Sequence, residues 1–382
     1  MGKVFYIGGF DLPDKNAAAQ RVIANAKIFV CLDYEVRLCG LSSDDENAYK
    51  EFEYEGLMCI NLPYPKGNKE WLIQLTSIGG YLPMIENWKP DLIIAYNYPA
   101  VALWKLLNYS RRHGIKIIAD CTEWYHARGT LGFRLIKNAD TLLRMRFVQP
   151  RMDGMIAISH FLERYYRNRG MKVLYLPPLV DMNNPKWEMA LSQKIDEDGI
   201  SLFYAGTTSR KDRLDIVIRA LMHIVDSCDK EIKLDIVGIT DSRFHDIYPQ
   251  FGQLPDFVHF CGRLPHQEVL NMLVNHDYQI FIREETRVNM AGFPTKYVES
   301  ISSGTLVLTN YTSDLKDYLK EGITGFPLDI SSEQGLEASL LKTLSVSKAE
   351  IRRIRNRLNT SQFDYHYFVE SARLFLNSIY NN

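Results

Sequence analysis

The feature that most constrains this chain is a rhythm that occurs twice. Short runs rich in Val, Ile, Leu and aromatic residues alternate with segments of helical period. In the first half the runs are KVFYIG, YEVRLCGL, LMCINL, DLIIAY, IKIIAD, GMIAIS and VLYLP, with helices expected near 16–32, 69–88, 99–113 and 160–170. Runs that can be buried on both faces, separated by helices, specify a parallel sheet wrapped by helices. After residue 200 the pattern restarts: SLFYAG, a helix near 212–227, IKLDIVG, FVHFCG, a helix near 266–275, YQIFI, a helix opening at FPTK, then TLVLTN. The stretch between the halves, 177–199, is rich in Pro, Asn and charge, has no strand pattern and reads as a linker. At 382 residues the chain is too long for one ordinary core. The expected organisation is an α/β domain over 1–180, a linker over 181–199, a second α/β domain over 200–360, and a C-terminal helix over 361–382. That helix carries Tyr365, Phe368, Ala372, Phe375 and Ile379 on one stripe and is expected to return to the first domain.

Composition removes several classes of function. Hydrophobic content of 46% and charged content of 24% are globular values. A net charge of −1 argues against a nucleic-acid partner held by a global basic field. The six cysteines (31, 39, 59, 121, 228, 261) contain no Cys-x-x-Cys pair, which fits reduced thiols better than a disulfide framework or a zinc site. The opening MGKVFYIGGFDLPD is too briefly apolar for a secretory leader. The most apolar window, DLIIAYNYPAVALWKLL, carries Asp91, Asn97, Pro99 and Lys105 and does not read as a membrane span. A soluble, cytoplasmic chain is expected.

Open parallel sheets bind ligands beyond the carboxyl ends of their strands. After the first strand come Gly8 and Gly9, small enough for a ligand to approach the backbone, or simply a tight turn. The spacing is not Gly-x-Gly-x-x-Gly, so a dinucleotide fingerprint is missing. After the first strand of the second half stands AGTTSRKDRLD. Gly206 permits a turn, Arg210 and Lys211 supply cations suited to a diphosphate or merely solvated, and Asp212 is placed to cap the next helix. In NMAGFPTKYVESISSG, Gly292 and Pro294 shape a turn, and Thr295 and Lys296 open a helix whose free amides suit phosphate. Glu299 follows three residues on, suited to a vicinal diol or to a weak surface pair with Lys296.

The block AGFPTKYVESISSGTLVLTNYTSDLKDYLKEGITGF (291–326) resembles the nucleotide-sugar motif of retaining glycosyltransferases of family 4, with the GT-B fold. It looks most like the bacterial branch that builds capsular, exopolysaccharide and O-antigen chains. MIAISHFLERYYRNRG, LPPLVD and YAGTTSRKDRLDIVIRAL extend the resemblance over nearly the whole chain. It implies two Rossmann-like domains facing a cleft and a UDP- or GDP-linked sugar donor. It also implies a glycan or lipid-diphosphate acceptor and a reaction in which no metal or other cofactor takes part. By position, Lys211 and Arg210 hold the diphosphate with Thr295 and Lys296, Glu299 holds the ribose, and backbone near Arg263 and Leu264 faces the base. The first glutamate of the family's Glu-x7-Glu motif falls at Ala291, which leaves Gly292 and Phe293 to offer main-chain amides to the sugar.

On the acceptor side, Asp120, Glu123 and His126 follow the strand IKIIAD and are expected to face the cleft, one of them orienting the acceptor hydroxyl or taking its proton. A turn cap at Asp120 and a surface His126 are the plainer readings. The segment 128–151 holds Arg128, Arg134, Lys137, Arg144, Arg146 and Arg151 against Asp140, interleaved with Leu and Phe. It suits an anionic membrane or a lipid-diphosphate, or is an ordinary helix with a solvated basic face. Asp196–Asp198 reads as a solvated turn. A GT-B sugar-nucleotide epimerase and a non-catalytic nucleotide-sugar-binding protein remain as alternative functions.

Overall fold

The computed structural model describes residues 2–44, 48–125, 130–187, 199–206 and 211–381. It divides into two compact units. One comprises Met1–Asp181, Ala291–Phe293 and Asp364–Asn382; the other comprises Met182–Met290 and Pro294–Phe363.

The first unit holds an eight-stranded sheet of β1 (Gly2–Gly8), β2 (Tyr34–Ser42), β3 (Glu51–Tyr54), β4 (Leu57–Pro63), β5 (Leu92–Tyr96), β6 (Lys116–Cys121), β7 (Gly154–Ala157) and β8 (Val173–Tyr175). Its order is β3-β4-β2-β1-β5-β6-β7-β8, parallel except where β3 pairs with β4. The strand order reverses at β1, flanked by β2 and β5. β3 escapes sequence reading because Glu51 and Glu53 alternate with half-buried Phe52 and Tyr54, a charged pattern that suits a sheet edge. Glu55 (φ 50°) and Gly56 (φ 75°) make the tight turn into β4. The single helix expected over 69–88 is two, Asn68–Thr76 and Leu82–Trp88. Gly79 and Gly80 weaken the helix between them, and Pro83 starts the second one, where its missing N–H costs nothing.

Helix Ala17–Cys31 follows β1, capped by Asn16, whose side chain accepts from Ala19 N at 2.9 Å. It turns Arg21 and Asn25 inward onto Asp120 of β6. Arg21 Nη2 and Nε donate to that carboxylate at 2.8 and 3.0 Å, the Tyr6 hydroxyl at 2.5 Å and Asn25 Nδ2 at 3.3 Å. Arg21 Nη1 goes on to the carbonyls of Leu176 and Pro177 at 3.0 and 3.1 Å. Asp120 is fully buried. Its expected place facing an acceptor is therefore corrected: the carboxylate points inward and ties helix, sheet centre and the exit from β8 together. The same burial, reinforced by the charge of Asp120, pushes the Tyr6 hydroxyl pKa up.

The C-terminal helix Val369–Tyr380 lies on the sheet of this unit, burying Ala372, Phe375, Leu376 and Ile379. A Cβ at Gly154 would stand 2.7 Å from the Phe375 ring, so a glycine at the start of β7 is what lets the helix seat.

The second unit holds a six-stranded parallel sheet of β9 (Ile200–Ala205), β10 (Ile232–Val237), β11 (Val258–Gly262), β12 (Tyr278–Ile280), β13 (Leu306–Thr309) and β14 (Gly325–Pro327), ordered β11-β10-β9-β12-β13-β14. β14, Gly-Phe-Pro, shows no strand pattern in sequence because Gly and Pro are poor strand formers. The order reverses at β9, so its carboxyl end is the switch point of this sheet.

Removing one partner of a buried, hydrogen-bonded ion pair leaves the other charge uncompensated. Asp120→Ala is expected to lower unfolding stability by about 3–5 kcal/mol. Urea denaturation checks this; an unchanged midpoint and slope would refute the account.

Candidate active site

At the carboxyl end of β9 the backbone is crowded. Gly206 N donates to Val237 O at 2.9 Å, and a Cβ on Gly206 would lie 2.8 Å from both Lys296 Nζ and the Tyr204 hydroxyl. Gly238 (φ +98°) follows β10, and a Cβ there would meet Gly206 O at 2.4 Å. Two glycines thus let two strand ends and a lysine share one small space. A pocket lined by Tyr204, Gly206, Asp212, Leu214, Ile239 and Tyr248 opens beside them.

Lys296 stands in the first turn of helix Thr295–Ser302, which follows buried Pro294 and has no acidic residue in its first turn. The leading amides of such a helix lack intrahelical acceptors, and the macrodipole adds positive potential. Lys296 Nζ lies 2.5 Å from Asp212 Oδ2, Arg283 Nε lies 2.6 Å from Asp212 Oδ1, and the Tyr204 hydroxyl donates to Oδ2 at 3.1 Å. Asp212 is only 3% exposed. Burial alone would raise its pKa, but Lys296 and Arg283 outweigh that and hold the carboxyl well below the usual carboxylate range. Burial first, then Asp212, pushes the Tyr204 hydroxyl up.

The capping role expected for Asp212 is corrected accordingly. Helix Leu214–Ile224 begins after Arg213, whose side chain makes no capping bond, and the Asp212 carboxylate turns to the two cations instead. Sequence reading missed Arg283 and Tyr204. Tyr204 is distant from Lys296 along the chain, Arg283 precedes it by one short helix, and the parallel pairing of β12 beside β9 brings the three together. Lys296 and Glu299 do not pair with each other: Glu299 Oε1 sits 3.2 Å from His266 Nε2, at the start of helix His266–Val274. Lys211 and Arg263 are exposed, Leu264 and Thr295 half-buried. Arg210 lies outside the described residues.

In the first unit, a Cβ on Gly8 would stand 2.6 Å from Tyr96 O, so its smallness serves strand packing; Gly9 is exposed with open space around it. Gly292 and Phe293 group with this unit, and Ser159 Oγ donates to Ala291 O at 2.8 Å. Glu123 is half-buried beyond β6, whereas His126 and Arg128 lie outside the described residues. The basic segment forms helix Leu131–Leu143, of which Thr141 is the buried residue. Leu131, Phe133, Leu135, Ile136, Leu142, Leu143 and, just beyond, Phe147 are exposed. Arg134, Arg146 and Arg151 are exposed as well, but Arg144 is buried, contrary to a uniformly solvated basic face.

A carboxyl whose pKa is depressed by folding stabilises the native state above its unfolded pKa of about 4 and loses that contribution as pH falls through the folded value. Stability of the wild type should therefore fall on acidification below about pH 4 more steeply than that of Asp212→Asn. Thermal unfolding across that range checks it; parallel pH profiles would contradict the assignment.

The fold has counterparts among known proteins. Residues 17–178 match the family model described as a glycosyl transferase 4-like domain, and residues 185–359 match glycosyl transferases group 1. Sucrose-phosphate synthase from Thermosynechococcus elongatus is similar in structure, with a TM-score of 0.72 at 13% identity over 100% of both chains. Anabaena HepE, solved in complex with UDP and glucose, has a TM-score of 0.68 at 14% identity over 99% of this chain and 100% of its own. A glycosyltransferase from Rickettsia africae has a TM-score of 0.70 at 12% identity over 100% and 99%. A search of curated protein sequences finds no match. Among the described residues no helix is long and apolar enough to cross a membrane. The chain is a glycosyltransferase of the GT-B fold, a 4-like domain followed by a group 1 domain.

Proposed function

We propose that this glycosyltransferase takes a sugar from a nucleotide-diphosphate donor and passes it, with retention at the anomeric carbon and without a metal, to a glycan or lipid-linked acceptor in cell-surface polysaccharide synthesis. The observation that carries the reading is Lys296 at a helix start, held against Gly206 by Asp212. An ammonium has three donor positions. Asp212 takes one and fixes the group, leaving two for phosphate oxygens. Lys211, the Thr295 hydroxyl and the leading amides of the helix add to the same binding surface, with Arg210, next to Lys211 in sequence, as the further cation. Glu299 grips the ribose diol, and backbone at Arg263 and Leu264 meets the base. UDP is favoured as the nucleotide, since the similar HepE was solved with it.

In the transfer, the bond from the anomeric carbon to the diphosphate oxygen breaks and the bond to the acceptor oxygen forms. The acceptor's proton ends on the departing phosphate. Negative charge grows on the diphosphate, and preorganised cations and helix amides stabilise it in place. Glu123 is the remaining carboxylate to orient the acceptor hydroxyl, because Asp120 is committed to Arg21. The exposed apolar residues of helix Leu131–Leu143, beside Arg134 and Arg146, suit an anionic bilayer that carries a lipid-linked acceptor at the inner face of the cell membrane.

Screening sugar nucleotides by thermal shift, then assaying transfer, tests the reading; a donor that binds but is only isomerised, or is never transferred to any glycan or lipid acceptor, rejects it. Lys211→Ala is expected to lower turnover at least about tenfold. Glu299→Ala should chiefly weaken donor binding, read by calorimetry. Leu135→Glu with Ile136→Glu should reduce co-sedimentation with phosphatidylglycerol vesicles; full retention would remove the membrane role.

A further inference from the structure

Arg144 is a charge left partly unanswered. It is 1% exposed, and its Nη1 donates to Asn97 O at 3.1 Å. Its Nε and Nη2 are buried and have no hydrogen-bond partner among the described residues. A guanidinium taken out of water costs several kcal/mol unless its donors are met. Nε and one Nη form the side-on fork that matches two oxygens of a carboxylate or phosphate.

A second cation stands close by. The Arg144 guanidinium lies 5.1 Å and Lys137 Nζ 4.3 Å from the centroid of the same ring, Tyr125. Burial, then the charge of Arg144, lowers the Lys137 pKa, the mark of like charges brought together. The nearby acids are Asp140 and Glu123. Asp140 Oδ1 accepts from Ala100 N at 2.7 Å at the start of helix Ala100–Arg112, and neither Lys137 nor Arg144 has an ion-pair partner among the described residues. The pair is set by a change of helical pitch: helix Leu131–Leu143 runs into a wider π turn over Arg144–Val148, which turns Arg144 inward toward the ends of β5 and β6. Ligands of open parallel sheets bind there.

We propose that Arg144, Lys137 and Tyr125 form a subsite for a phosphoryl anion in the first unit, with the Arg144 fork on two oxygens, the Lys137 ammonium on a third, and Tyr125 as its wall. The phosphate is one carried by the acceptor, on a lipid or on a soluble sugar; only that last identification rests on the transfer reading.

Inorganic phosphate is the probe, titrated into the full chain with thermal unfolding and calorimetry as readouts. Because phosphate can also enter the diphosphate site, the test uses a Lys296→Gln background. There phosphate is expected still to raise the melting temperature, and adding Lys137→Gln should weaken it at least about tenfold. Lys137 is half-buried and the safer variant; Arg144→Gln, where it folds, should do the same. Loss of the shift in Lys296→Gln alone, or full phosphate affinity in the Lys137→Gln double variant, overturns the subsite. Donor binding to the wild type is measured separately and fails or holds independently. Co-sedimentation with phosphatidylcholine vesicles containing polyprenyl phosphate separates the sources. Retention that depends on Lys137 assigns a lipid, and phosphate binding with no such dependence assigns a soluble acceptor.

Discussion

A buried carboxylate bonded to a tyrosine of the strand where each sheet reverses its order is the constraint around which both units are arranged. In the first unit a tyrosine of β1 and an arginine and an asparagine of the next helix converge on Asp120. In the second a tyrosine of β9, an arginine after β12 and a lysine opening a helix converge on Asp212. Burying these charges is tolerable only because each carboxylate is bonded on both oxygens.

The two clusters differ in what they leave over. Arg21 spends its remaining donor group on the carbonyls of Leu176 and Pro177, so the first cluster is closed and purely architectural. Lys296 keeps donor capacity and stands at a helix start packed close against a strand-end glycine. One physical device therefore serves as a closed tie in one unit and, under the proposed function, as a mount for phosphate-binding groups in the other. Arg144 is the third case, a buried cation whose partners among the described residues are one carbonyl and the face of Tyr125.

Much of the fold was legible from apolar runs alone, since strands buried on both faces leave a near-continuous hydrophobic signature. β3 was not, because half of it is charged and solvated at an edge, and β14 was not, because its one apolar side chain stands between a glycine and a proline, both poor strand formers. The break after Thr76 was written in Gly79, Gly80 and Pro83 but outweighed in reading by the apolar residues on either side. At the candidate site, the Gly-Phe-Pro-Thr-Lys turn and Glu299 were visible as a motif. Asp212 was visible only as a residue of the right type, its role mistaken for a cap, and Arg283 and Tyr204 carried no local signal.

The sequence by itself determined the two parallel-sheet units and the helix start bearing Lys296, because periodicity and turn chemistry are local properties. Tertiary structure alone decided which charges face inward. Asp120 and Glu123 are three residues apart, yet one is fully buried against Arg21 and the other half-buried beyond the strand. Lys137 and Arg144 look like any basic helix face until the π turn folds one of them under. Burial and ion pairing depend on strand order and on partners far away in the chain, and no local pattern encodes them.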